Sequence, residues 1–407
     1  MTSDRPIYLD HNATTPLLPE VVDAMLPYLR EHFGNPSSGH VYGRRARDAV
    51  ENARTQVATL IGAAPEEIVF TSGGTEANNL AILGVAKMPG RARHVVTSVI
   101  EHPATAEPCC WLQRQGWTVA WLPVDRAGRV RADDVAGALA EQRAALVSVM
   151  HANNETGVIQ SIADVARAAR DAETLFHTDA AQSLGKIAVR VNDLGVDLLS
   201  IAGHKLYAPK GVGALYVRKG VGIERVVYGA GHERGLRPGT ENVASIVGLG
   251  TACAIAHATL ADESARQRRL RDLLWERICA AVPDVAINGD PFERLPNTLN
   301  LRFPGVRATE LLARTPGIAA STGSACHEGG ESPSAVLTAM GLDADTALGS
   351  VRLSLGRRTT EDEVVRCASV LSVAWHSIRR QASLLSLRRV SEASCATSYL
   401  LVEPPAR

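Results

Sequence analysis

Five lysines, Lys87, Lys186, Lys205, Lys210 and Lys219, stand among the 43 basic side chains of this 407-residue chain. A lysine kept in an arginine-rich protein keeps an amine that can lose its proton, which a guanidinium does not do. Lys205 is the one best placed for chemistry. It closes the stretch Ser200-Ile201-Ala202-Gly203-His204-Lys205, directly after an apolar run and ahead of a Pro-Lys-Gly turn at 209–211. An amine there can attack a carbonyl and form a Schiff base. Lys87 and Lys219 read as solvated surface.

Three further loops carry unusual residues. In Thr71–Asn79 (TSGGTEANN) two glycines precede Thr75, where a helix should begin. Free N–H groups and the positive end of a helix dipole make such a start a phosphate site, although many such turns are only tight connections. In His177-Thr178-Asp179-Ala180-Ala181-Gln182 a carboxylate follows an apolar strand. Asp179 either caps the next helix or holds a proton on a heterocyclic nitrogen, with Gln182 on the same side. In Ser321–Glu331 (STGSACHEGGE) Cys326 sits among small and polar residues, where a thiolate can act. Cys253, Cys279 and Cys367 read instead as inert core thiols. No metal site is expected, since Cys326-His327 and Cys109-Cys110 lack the ligand gaps of zinc sites. An amine, a carboxylate and a phosphate-ready helix start together meet the needs of pyridoxal phosphate: its aldehyde, its pyridine nitrogen and its phosphate.

Positioning those groups takes an α/β scaffold. Candidate strands are Glu67–Thr71, His94–Val99, Thr118–Leu122, Leu146–Met150, Thr174–Thr178, Val196–Ile201 and Gly213–Val217. Helical patterns alternate with them at Thr75–Val85, Ala104–Gln115, Ala132–Glu141 and Ile162–Ala172. Continuous apolar strands alternating with helices predict a mostly parallel sheet covered on both faces. Residues 243–281 read as two helical patterns, apolar and then densely charged, followed by strands at Pro296–Arg302 and Val351–Ser354 and a helix near Thr360–Gln381. The segment 383–407, without a consistent period, is expected to be poorly ordered.

Composition narrows the partners. The 43 basic and 43 acidic side chains cancel, which leaves no electrostatic footprint for nucleic acid. With 45% hydrophobic and 21% charged residues the chain reads as an ordinary globular protein. No run of about 18 apolar residues is apparent, so no membrane span is expected. The amino terminus lacks the basic head and apolar stretch of a secretory signal, and seven cysteines are too sparse for a disulfide scaffold. A cytoplasmic protein is expected.

The motifs resemble those of the cysteine desulfurases of the NifS/IscS kind, in the class V branch of the fold-type I pyridoxal-phosphate enzymes. The matching stretches are YLDHNATTP (8–16), FGNPSSGH (33–40), FTSGGTEANN (70–79), EHPA (101–104), MHANNETGVIQ (150–160), HTDAAQSLGK (177–186), AGHKLYAPKGVGALY (202–216), ERGLRPGTEN (233–242), STGSACH (321–327) and VRLSLGR (351–357). The resemblance implies an α/β fold with a large cofactor-binding domain at 14–255. It also implies a small α+β domain from 1–13 and 256–382, with 383–407 as a tail.

Residue by residue, it implies that Lys205 holds the cofactor aldehyde and that Asp179 partners the pyridine nitrogen. His102 stacks on the ring and assists proton transfer. Gly74, Thr75 and His204 cradle the phosphate, and Gln182 bonds the ring hydroxyl. Thr240 reaches the phosphate of a neighbouring subunit, which implies a homodimer. Asn154 and Arg352 clamp the substrate carboxylate, with Asn12 as a further substrate-binding residue.

The reaction so implied converts L-cysteine to L-alanine and leaves the sulfur on Cys326 as a persulfide. An acceptor protein or scaffold then receives it, in iron–sulfur cluster assembly or in a thiolation pathway. Cys326 is expected on a flexible loop with hinges at Gly323 and Gly329-Gly330. Three departures stand out. Ala202 replaces a serine common before Gly203, His327 follows the cysteine as in selenocysteine lyases, and the tail has no counterpart. A selenocysteine lyase, and behind it a class V aminotransferase, are the competing readings.

Overall fold

A computed structural model describes residues 5–322, 325–327 and 330–398, with only the backbone described for 325–327, 330, 331 and 385–398. A seven-stranded sheet forms its centre: β1 Ile68–Thr71, β2 His94–Ser98, β3 Thr118–Leu122, β4 Leu146–Ser148, β5 Leu175–Asp179, β6 Leu198–Ala202 and β7 Gly213–Val217. Their spatial order is β1-β7-β6-β5-β4-β2-β3. Strands β3, β2, β4, β5 and β6 pair in parallel, and β7 runs antiparallel to both β6 and β1. All seven strands lie within two residues of where the apolar runs predict them.

The runs are continuous because both faces are covered. Val95, Leu146 and Leu198 pack on one face with Leu80, Ile82 and Leu112 from helices α1 (Gly74–Ala86) and α2 (Pro103–Arg114). Their sequence neighbours Val96, Val147 and Leu199 point to the other face, against Val135 and Val165 of the helices Ala132–Glu141 and Ile162–Asp171. The period-2 alternation of a strand sorts them. Only β3, at the sheet edge, exposes a residue, Thr118.

Two helical expectations are corrected. Residues 243–281 form one helix, α3 (Val243–Ala281), rather than two. Its first half buries Ile246, Leu249 and Ala256 in the large core. Its second half buries Leu270, Leu274 and Ile278 in a separate core with Leu299, Leu353 and Leu371. The change of pattern marks a change of neighbour, since no proline or glycine interrupts the helix after Gly250. By length and composition alone this helix could cross a membrane, a test that core helices also pass, and 44% of its most apolar stretch is buried within the protein. Within that stretch Ile246, Leu249, Ala252, Cys253 and Ala256 face the large core. Cys279, next to buried Ile278, is exposed rather than core, because one residue further turns about 100° around a helix.

The last helix, α4 (Glu361–Ser398), continues well past residue 381. Residues 382–398 contain neither glycine nor proline, and eight of the 17 are Leu, Ala or Arg, so the segment expected to be poorly ordered is helical to Ser398. Residues 399–407 lie outside the described ones.

A second sheet holds Thr298–Arg302 against Ser350–Ser354, flanked by Ala286–Ile287 and Ser321–Thr322. The amino-terminal Ile7–Tyr8 pairs with Ile318–Ala319, tying the start of the chain to this region. Ala325–His327 and Gly330–Ser332 pair antiparallel, with Cys326 opposite Glu331. The expected hinges at Gly323 and Gly329 lie outside the described residues.

Candidate active site

The chemistry-bearing residues gather where the parallel strands end. Asp179 is the last residue of β5, and Lys205 lies in the turn Gly203–Lys205 after β6. Gly74 opens α1 three residues beyond the end of β1, and His102 caps α2 beyond β2. Ligands in open α/β sheets bind at these carboxyl ends. The second sheet contributes Arg352 from the strand Ser350–Ser354.

A cavity of about 360 Å³ opens among these ends. Ten of the residues expected at the site line it: Asn12, Gly74, Thr75, His102, Asn154, Asp179, Gln182, His204, Lys205 and Arg352. Thr240 does not. It is exposed, beside Phe70, Thr71, Glu233 and Arg237. The Cys326 side chain lies outside the described residues.

Lys205 donates from Nζ to the carbonyls of Asn12 at 2.6 Å and Ala13 at 2.7 Å. Burial, reinforced by the charge of Arg352, brings its pKa down to about 8. A substantial fraction of the amine is therefore neutral near pH 8. Asp179 is buried and accepts on both oxygens, from Nδ2 of Asn78 at 2.7 Å and from the backbone N–H of Ala181 at 2.9 Å.

His102 accepts the N–H of Ala104 on Nδ1 at 3.1 Å, so its neutral ring carries the proton on Nε2. Burial, helped by the Lys205 charge and opposed by Asp179, keeps its pKa below the usual histidine value. His204 lies with Nδ1 3.2 Å from Oγ1 of Thr14. Burial, with Lys205 and Lys210 nearby, takes it to about 4.

Arg352 is held by Asp10 through Nη2 at 2.7 Å and by the carbonyl of Asn154 through Nη1 at 3.1 Å. Its Nε is buried without a partner among the described residues. Asn12 joins the two regions. Its Nδ2 donates to the carbonyl of Asn154 at 3.2 Å and to Oγ1 of Thr298 at 2.9 Å, and its Oδ1 accepts from Asn297 at 3.1 Å.

These residues suit pyridoxal phosphate. The buried Asp179 carboxylate matches a protonated ring nitrogen, and the depressed Lys205 amine matches an aldehyde. The start of α1 offers unpaired N–H groups to a phosphate. Gly73 there has φ 152° and ψ −178°, which side-chain-bearing residues rarely adopt. A Cβ on Gly74 would stand 3.1 Å from Cβ of Ala202, so the missing side chain keeps that wall open.

The sequence alone assigns no role to Asn78 or Asp10. Asn78 and Asp10 stand inside recognised motifs, but their contacts span 101 and 342 positions in the chain. No local pattern reveals such pairs.

The protein-family model for "Aminotransferase class-V" matches residues 7–367. The chain is 46% identical over 370 residues to the "Cysteine desulfurase IscS" of Dictyoglomus turgidum, covering 90% of this chain and 94% of that one. A solved "NIFS-LIKE PROTEIN" superposes with a TM-score of 0.84 at 38% identity, over 92% of this chain and 99% of the other. A solved SspA in complex with cysteine superposes with a TM-score of 0.75 at 36% identity, over 86% of this chain and 98% of the other.

Proposed function

The chain belongs to the class-V aminotransferase family and is a pyridoxal-phosphate-dependent cysteine desulfurase; from that premise we propose which of its residues carry the reaction. The observation that supports the assignment best is the meeting, in one cavity, of Lys205, Asp179 and the Asn12–Asn154–Arg352 cluster.

Bound pyridoxal phosphate supplies an aldehyde that engages amines and a protonated ring that draws electrons from the substrate α-carbon. Asp179, anchored by Asn78 and Ala181, holds the proton on the ring nitrogen. Gly74, Thr75 and His204 take the phosphate, and Gln182 the ring hydroxyl. Arg352 and Asn154, with Asn12, orient L-cysteine by its carboxylate, for which the planar guanidinium is suited. Lys205, neutral in part near pH 8, removes the α-proton. His102, with its proton on Nε2, lies on the cavity wall where it can pass a proton to or from substrate.

Cys326 as thiolate then attacks the substrate sulfur. A sulfur–sulfur bond forms and the carbon–sulfur bond breaks. The electron pair stays with carbon, which a proton converts to alanine, and Cys326 keeps the sulfur as a persulfide. A protein acceptor collects it, in iron–sulfur cluster assembly or a related thiolation pathway.

The working form in this reading is a homodimer. An exposed apolar group, Leu29, Phe33, Val41 and Tyr42, with Phe33 stacked on Tyr42 at 5.6 Å, supports it. Thr240, exposed outside its own chain's cavity, then serves the partner's phosphate. The division into domains at 14–255 and at 1–13 with 256–382 belongs to the same proposal, on the strength of the two separate cores. So does the cytosol as its place, which suits the free thiols Cys109, Cys253 and Cys367.

The test is Cys326→Ser. The variant is expected to keep its bound cofactor and to release neither alanine nor sulfide from cysteine. Normal turnover would remove Cys326 from the reaction.

A further inference from the structure

Lys186 is a buried lysine that the reaction above does not use, 7% exposed and without a carboxylate in ion-pair reach among the described residues. Its Nζ donates to two oxygens of one residue, the backbone carbonyl of Gln182 at 2.8 Å and the side-chain Oε1 of Gln182 at 3.1 Å. The turn at Gly185, with φ +72°, brings the amine back onto Gln182, and a Cβ there would collide with Leu206 at 2.1 Å. Gln182 in turn lines the cavity and donates from Nε2 to the carbonyl of Asn12 at 3.0 Å, the same oxygen that receives Lys205.

The two ends of a carboxamide have nearly the same shape and opposite hydrogen-bonding character. The Lys186 amine already directs its N–H groups at the Gln182 carbonyl and at Oε1, and a donor placed against Oε1 settles which end of the carboxamide points away from it. We propose that Lys186 is a positioning residue: it holds Oε1 of Gln182, so that the Nε2 donor faces the cavity and the oxygen substituent of the bound cofactor ring. The proposal rests on the Gln182 role given above. It explains why a buried amine is retained although its surroundings oppose the charge. Burial, with Lys205 and Arg352 close by, brings Lys186 down to about 7, and buried His11 also feels its charge. An amine kept at such cost without a counter-ion serves something other than stability.

The test compares Lys186→Met, which has similar bulk and no donor, with Gln182→Leu and with the double variant. Each holoenzyme is dialysed, and retained pyridoxal phosphate and the pH titration of its visible absorbance are recorded. Lys186→Met is expected to weaken cofactor binding by about tenfold, the scale of one hydrogen-bonding group presented the wrong way round. It is also expected to shift the midpoint of the absorbance titration and to add nothing further in the Gln182→Leu background. Wild-type affinity and titration in Lys186→Met, or effects that add in the double variant, would overturn the positioning role while leaving Gln182 in place. Wild-type behaviour of Gln182→Leu would overturn the Gln182 role and this proposal with it. If Lys186→Met does not fold, Lys186→Gln, which can offer Gln182 a donor or an acceptor, is expected to show a smaller loss in the same direction. Full wild-type affinity there would count against the proposal.

Discussion

Asn78 donates from Nδ2 to Oδ2 of Asp179 at 2.7 Å, linking helix α1 to the end of β5. One helix thus begins at the phosphate cradle and, one turn later, braces the carboxylate meant for the ring nitrogen. Asn78→Ala removes that brace from a buried carboxylate, and a lost partner of this kind costs about 1–3 kcal/mol. The variant is expected to bind pyridoxal phosphate about tenfold or more weakly, measured by dialysis of the holoenzyme. Unchanged binding would mean that Asp179 is held by Ala181 alone.

Ala202 lines the cavity against Gly74. Ala202→Ser places a hydroxyl on that wall beside the phosphate cradle. One added neutral hydrogen bond is worth about 1 kcal/mol, so cofactor affinity is expected to rise by about fivefold. A fall in affinity in the same assay would indicate that the wall has no room for an oxygen.

Arg352 sits with its forked guanidinium between Asp10 and the Asn154 carbonyl. Arg352→Lys keeps the charge and gives up the planar two-point grip. Steady-state kinetics are expected to show KM for cysteine raised by about tenfold or more, with kcat less affected. A change confined to kcat would argue that Arg352 acts on the chemistry and not on carboxylate binding.

His177 is fully buried between Oγ of Ser148 at 2.8 Å and Oγ of Ser200 at 2.9 Å, and burial takes it down to about 4. His151, also buried, falls to about 4 for the same reason. An unfolded chain takes up these protons near pH 6.5, whereas the folded chain resists them until about 4. Above pH 6.5 neither state is charged and the two groups cost nothing. As pH falls from 6.5 toward 4 the unfolded state gains protons first, and stability drops. Thermal melting across this window is expected to show the decline, and His177→Gln, which cannot charge, is expected to flatten part of it. A parallel decline in the variant would assign the acid loss to other groups.

Much of this was legible from local pattern. The seven strands were visible because their apolar runs are buried on both faces, and Lys205, Asp179 and Gly74 because each follows such a run. Long contacts were not visible. Asn78 meets Asp179, and Asp10 meets Arg352, only once the sheet and the second core have folded. The two-part pattern of 243–281 misled because one helix crosses two cores, so its polar face changes midway without any break in the backbone. The helical course of residues 383–398 was not legible because their sequence has no consistent apolar period, while the absence of glycine and proline, which allows it, is a weaker signal.

The central claim is that sulfur taken from cysteine passes to the thiol of Cys326. Mass spectrometry of the peptide containing that residue, after incubation of the holoenzyme with L-cysteine and no acceptor, tests it directly. The account predicts a gain of one sulfur atom on Cys326 that a thiol reductant removes. Alanine formation with Cys326 unmodified, or with the extra sulfur on another cysteine such as Cys110 or Cys279, would contradict it.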